Sequence, residues 1–184
     1  MRKFLFILGI TTFFFLSSQK VSAASLNLSS STATPKVGEE FWVEVNLNTQ
    51  IQETLGTDAV LIFDPQLFEA KEIEEGEIYP DYPGKKIDNE QGKIFLSGVA
   101  NYGSSVSASG VLGKIKFVPK KEGKAQISFA WQSGKTNLTS IIPYQGNADL
   151  LNQPPQSLSL QIEKQTLMGK IIEFIRRLVS LFPF

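Results

Sequence analysis

Residues Gly56–Ala70, GTDAVLIFDPQLFEA, decide the fold class. Ala59–Phe63 is a short, almost wholly apolar run, stopped by Asp64-Pro65. A run of this length bounded by Gly and Pro reads as a strand buried on both faces. Pro65 fixes its own φ and has no N–H for a ladder, so the chain must turn there. Asp64 is accounted for by capping that turn. Leu67-Phe68 then opens a second strand. Asp58 stands at the entrance of the first strand, where a polar side chain faces solvent beside the core.

The pattern continues on both sides. Upstream, Leu26 and Leu28 alternate with polar neighbours, Pro35–Glu39 is a turn, and Phe41, Val43, Val45 and Leu47 alternate with Trp42, Glu44, Asn46 and Asn48. This is a half-buried strand. Parity puts Trp42 on its outer face, packed under a loop or against the other end of the chain. Thr49–Leu55 reads as a loop. Downstream, Phe68–Ile73 is a strand closed by Gly76. Ile78–Gly92, with Tyr79-Pro80-Asp81-Tyr82-Pro83-Gly84, reads as a long loop or an edge segment. Lys93–Val99, Val111–Val118, Ala125–Trp131, Thr139–Ile142 and Leu158–Ile162 follow, separated by turns and by the Ser/Gly-rich Asn101–Gly110 connection. Ser25–Glu163 therefore holds about nine short strands and no helical pattern, the spacing of an all-β antiparallel sandwich.

The 184 residues carry 18 basic and 18 acidic side chains. That balance gives no electrostatic footprint for nucleic acid. There is no Cys and no His. Thiol nucleophiles, His bases, Ser-His-Asp triads and most zinc sites are removed together. Residues 1–23 have the form of a secretory signal: basic Arg2-Lys3, the apolar run Phe4–Leu16, and Val21-Ser22-Ala23 at the cleavage site. The competing reading, an uncleaved anchor, needs a longer run, since a spanning helix takes about 20 apolar residues. Export without cysteine fits a bacterial cell envelope.

After Glu163 the period changes. Leu167, Met168, Ile171, Ile172, Ile175, Leu178, Val179 and Phe182 recur at three- and four-residue steps, with Glu173, Arg176, Arg177 and Ser180 opposite. Residues 164–184 thus read as an amphipathic helix stopped by Pro183. Four charges within it weigh against spanning. Its apolar face is expected either at a membrane interface or against protein.

Several of these pieces, in this order, resemble the cohesin family. Val37-Gly38-Glu39-Glu40-Phe41 is similar to its opening strand, Val60–Phe68 to its Asp-Pro corner, Asp88-Asn89 with Gly92-Lys93-Ile94 to the following turn, and Gly110–Phe117 to a later strand. The resemblance covers most of Leu26–Ile162. It implies a nine-stranded jelly-roll sandwich that binds without catalysis, with a dockerin held on one flat sheet face. It also implies that Asp58 is a partner contact, with further contacts near Gly98 and Asn101; Gly56 stands where the family carries a polar residue. No dockerin-type calcium-loop repeat occurs in the chain.

Other chemistry is weighed beside this. No spacing singles out a glycosidase carboxylate pair. Asp58, Asp64, Asp81 and Asp88 are the right hard ligands for calcium, but they read first as ordinary turn and surface acids. Trp42, Tyr79, Tyr82 and Tyr102 offer rings for a polysaccharide or a protein. Tyr79 and Tyr82, on one Pro/Gly-rich loop, are the exposed candidates; the competing reading is a loop pinned down by its own rings. The expectation is an exported, non-enzymatic module without a cofactor that recruits a protein, with a carbohydrate-binding module as the alternative.

Overall fold

The computed structural model describes residues 23–165 together with 169, 171 and 175. The signal and most of the tail lie outside the described residues, including Ile172, Arg176, Arg177, Leu178, Val179 and Phe182. Ile171 and Ile175 have helical backbone and are about half exposed.

Among the described residues ten strands form two packed sheets. They are β1 (Ser25–Ser30), β2 (Phe41–Asn48), β3 (Thr54–Phe63), β4 (Phe68–Glu75), β5 (Asp81–Asp88), β6 (Lys93–Val99), β7 (Ser109–Pro119), β8 (Gly123–Phe129), β9 (Ser140–Pro143) and β10 (Leu158–Ile162). The four-stranded sheet runs β1-β2-β7-β4, and the larger sheet runs β10-β8-β3-β6-β5, with β9 also on β3. Every strand pair is antiparallel.

Strict alternation on β2 sends Phe41, Val43, Val45 and Leu47 inward to meet Ala59, Leu61 and Phe63 of β3 in one core. At the Asp64-Pro65 end, Phe117 gathers Phe41, Phe63 and Phe68 within 5.3–6.0 Å between ring centroids. Each such ring buries a large apolar area and adds an edge or offset contact. The corner is built as its chemistry suggests: the Gln66 N–H donates to Asp64 Oδ1 at 2.8 Å, and the Leu67 and Phe68 N–H groups donate to the Asp64 carbonyl.

Three expectations change. β3 begins at Thr54, so Asp58 lies in mid-strand rather than at its entrance. The strand is not buried on both faces throughout: Val60 is covered, but Ile62 is 44% exposed. The tenth strand is β5, an edge strand formed by the Pro/Gly-rich segment, whose register with β6 shifts between Asp81 and Gly84. That irregularity is where Pro83 is tolerated.

Candidate functional site: the outer face of the six-stranded sheet

Register and alternation define the outer face of the larger sheet row by row. In one row Gly84, Ser97, Asp58 and Ser140 lie side by side on β5, β6, β3 and β9. In the next, Lys86, Phe95 and Val60 are neighbours, and beyond them Asp88, Lys93, Ile62 and Ser128. On the other side of the Asp58 row, Val99 and Ile142 flank Gly56.

Asp58 is half-buried between two small residues, Ser97 and Ser140, which are themselves buried. Among the described residues its carboxylate has no ion-pair or hydrogen-bond partner, and the buried Ser140 Oγ is likewise unpaired. The row thus sets one half-buried carboxylate between two covered serines.

The Phe95 row is different. The ring lies flat across β5 because position 84 is glycine: a Cβ there would sit 2.4 Å from Phe95 Cε1. Beside it is a depression of about 260 Å³ lined by Val60, Lys86, Asp88, Gln91, Lys93, Phe95 and Asn137. The segment between β8 and β9 closes over Val60, where the Thr139 hydroxyl donates to the Val60 carbonyl and accepts from its N–H. Asp88 Oδ1 accepts from the Glu90 and Gln91 N–H groups of the turn.

Of the two readings of Tyr79 and Tyr82, exposed contacts or rings that pin their own segment, the structure gives the second. Tyr79 and Tyr82 are buried at 4% and 8% exposure, so they cannot serve as surface contacts. The cause is Gly98, whose missing Cβ leaves the space the two rings occupy; a Cβ would lie 2.6 Å from Tyr79 Cδ2. Gly98 accordingly faces the core, away from any partner on this sheet. The Tyr79 hydroxyl is 2.7 Å from Thr54 Oγ1 and 2.8 Å from Thr57 Oγ1. Thr54 gives its own proton to the Val106 carbonyl, so Tyr79 donates to Thr54 and accepts from Thr57. Burial pushes both phenols above their ordinary range; for Tyr79 the threonine bonds offset part of this and the Asp58 charge adds to it.

Asn101 and Tyr102 lie in an exposed turn closed by the Ser104 N–H on the Asn101 carbonyl. Asp58 pairs with Ser97, so Asn101 is four residues further along, about 13 Å away along the strand direction. The structure does not bring Asp58 and Asn101 into one cluster. Phe95, Lys86 and Ile62 were missed by sequence reasoning, because only the β5–β6–β3 register shows that they share a face. Asp58, Asp64, Asp81 and Asp88 do not converge; among the described residues no group of three or more Asp or Glu is placed to hold a metal ion. Nor is any described helix long and apolar enough to cross a membrane.

The opposite face has another character. Trp42, Glu44, Lys114 and Lys116 project from β2 and β7, and Glu69, Lys71 and Glu72 from β4. Lys114 pairs with Glu44, Lys116 with Glu72 and Lys71 with Glu69. Trp42, expected outward, is half-buried there under the Lys116 ammonium, 4.7 Å from its ring centroid.

A model of the cohesin domain matches residues 24–141. No curated protein matches the sequence. Among solved structures, the third cohesin of ScaC from Acetivibrio cellulolyticus, determined in complex with the ScaB dockerin, superposes with a TM-score of 0.62 at 17% identity, covering 76% of this chain and 98% of that one. The cohesin module of a family 33 glycoside hydrolase from Clostridium perfringens gives 0.58 at 13%, covering 78% and 100%. A non-cellulosomal cohesin from the archaeon Archaeoglobus fulgidus gives 0.56 at 11%, covering 83% and 98%. At these identities the structural likeness speaks to the fold alone, and it agrees with the family match that spans most of the sandwich: this chain belongs to the cohesin family.

Proposed function

We propose that the chain is a non-catalytic receptor module that binds a dockerin-like protein on the outer face of its six-stranded sheet. The observation that carries this is the state of that face: Asp58 and two lysines without partners among the described residues, set around the half-open Phe95 and the exposed Ile62. Charged groups left unpaired beside an apolar centre are what a protein partner can complete. The family match and the solved cohesin–dockerin complex support the choice of partner class. The burial of Tyr79 and Tyr82 removes the two-ring platform on which a polysaccharide reading rested. Residues 1–23 are read as the export signal that brings the module to the cell envelope, and residues 164–184 as an amphipathic segment that holds it to a membrane surface or a neighbouring protein.

The test is calorimetry against a panel of purified dockerin modules, with Asp58→Ala and Ile62→Arg beside the natural sequence. The expected result is at least one binder, weakened about tenfold or more by either substitution while the melting curve stays in place. A panel with no binder, or substitutions without effect on binding, would remove the proposal.

A further inference from the structure

The depression beside Phe95 says more about the partner than the fold does. Its rim carries two ammonium groups, Lys86 on β5 and Lys93 on β6, and one carboxylate, Asp88. Asp88 already has an oxygen committed to two backbone N–H groups of the turn. Among the described residues neither lysine has an ion-pair partner, although every lysine projecting from the centre of the opposite sheet has found a glutamate. Lys86 is the cross-strand neighbour of Phe95, and Lys93 lies two residues from it on the same face. The floor is apolar, Phe95 and Val60. The depression, of about 260 Å³ and open to solvent on one side, has room for a large side chain and a neighbouring polar head.

We infer that this depression is a subsite for an acidic–apolar element of the partner: a carboxylate between Lys86 and Lys93, next to a large apolar side chain laid on Phe95. The inference rests on the dockerin-like reading of this face and adds the chemistry of the partner's contact. It separates the face into two recognition zones. The Asp58 carboxylate takes a donor or cation, and the Lys86–Lys93 depression, one to two rows further toward the Asp64 corner, takes an anion. Opposite signs at two ends fix the orientation in which a partner can lie, because a reversed partner would meet like charges. An oligosaccharide is the weaker occupant: a single ring, part-covered, lines the depression, and nothing pairs a sugar's hydroxyls with both ammonium groups in preference to a carboxylate.

The experiment uses the dockerin module that binds best in the panel, titrated into the natural protein, Lys86→Glu/Lys93→Glu, Lys86→Arg/Lys93→Arg and Ile62→Arg. The glutamate pair is expected to lose at least tenfold in affinity and most of the salt dependence of binding. The arginine pair, which keeps the charges, should stay within threefold. Replacing the dockerin's contacting acid by lysine should restore binding to the glutamate pair. Two outcomes overturn the inference separately from the reading beneath it. If Ile62→Arg abolishes binding but the glutamate pair binds like the natural protein, the face is right and the acidic element is wrong. If Ile62→Arg binds normally, the face itself is wrong. Shifts of the Phe95 and Lys93 amide resonances with cello- or xylo-oligosaccharides, and none with the dockerin, would likewise overturn it.

Discussion

The two outer faces of this sandwich treat their charged side chains in different ways. On the four-stranded sheet, Glu44–Lys114 and Glu72–Lys116 join neighbouring strands, and Lys116 also covers Trp42. On the six-stranded sheet, Asp58, Lys86 and Lys93 lie beside Phe95 and Ile62 with no such pairing among the described residues. On the four-stranded face the lysines are paired and, among the described residues, Glu74, beside Lys114, is left over; the pairs already made have little to offer a partner, since binding would have to strip water from them. A face with unmatched charges around an apolar centre gains by being covered. The proposed partner face is the one whose lysines and Asp58 are left open, on a fold whose two sheets share one core.

The comparison can be broken or sharpened by substitution. The largest effect should come from the element common to both faces. Phe63→Ala removes a buried ring packed edge-on to Phe117 at 5.3 Å, and should cost about 3–5 kcal/mol in urea unfolding. Tyr79→Phe comes next. It leaves the buried Thr57 hydroxyl without its acceptor, while Thr54 keeps its bond to the Val106 carbonyl, and should cost about 1–3 kcal/mol, with binding by the folded protein unchanged. The same cluster sets an alkaline limit. The folded state holds the Tyr79 and Tyr82 protons more tightly than the unfolded state does. Their contribution is therefore whole below the ordinary phenol value of about 10 and is lost as pH rises above it; melting temperatures measured from pH 8 to 11 should fall in that upper range.

Gly84→Ala should be smaller and confined to one face. The new methyl would push the Phe95 ring off β5, lowering dockerin affinity about tenfold, or about 1.4 kcal/mol, while thermal stability changes little. Lys116→Ala should do least. It removes a part-exposed ion pair with Glu72 and the cation over the Trp42 ring, both weak contributions at a solvent-accessible site, so the melting temperature should fall only slightly and the affinity should not move. A loss of binding there, with Gly84→Ala silent, would reverse the assignment of the two faces.

The parts of the molecule that sequence reasoning reached are those whose chemistry is local. The Asp64-Pro65 corner is one, because the Asp64 side chain and carbonyl close the turn on residues two to four positions away. The alternation of β2 is another. The parts it missed depend on partners distant in the chain. β5 shows no alternation and contains Pro83 and Gly84; it is a strand because the edge of β6 supplies its ladder. Tyr79 and Tyr82 look like exposed loop rings until Gly98 is placed beneath them. Asp58 was legible as the polar residue at the entrance of an apolar run, and as a contact through the resemblance to cohesins. The proposed partner surface around it was not, since Phe95, Lys86 and Ser140 come from three other strands and meet it only through register.

The most direct test of the central claim is amide hydrogen exchange on the natural protein with and without a bound dockerin module. The account predicts new protection along β3, β5 and β6, centred on Asp58, Ile62, Lys86 and Phe95, with β2, β4 and β7 unchanged. Protection centred instead on β2 and β7, around Trp42 and Lys116, would contradict it.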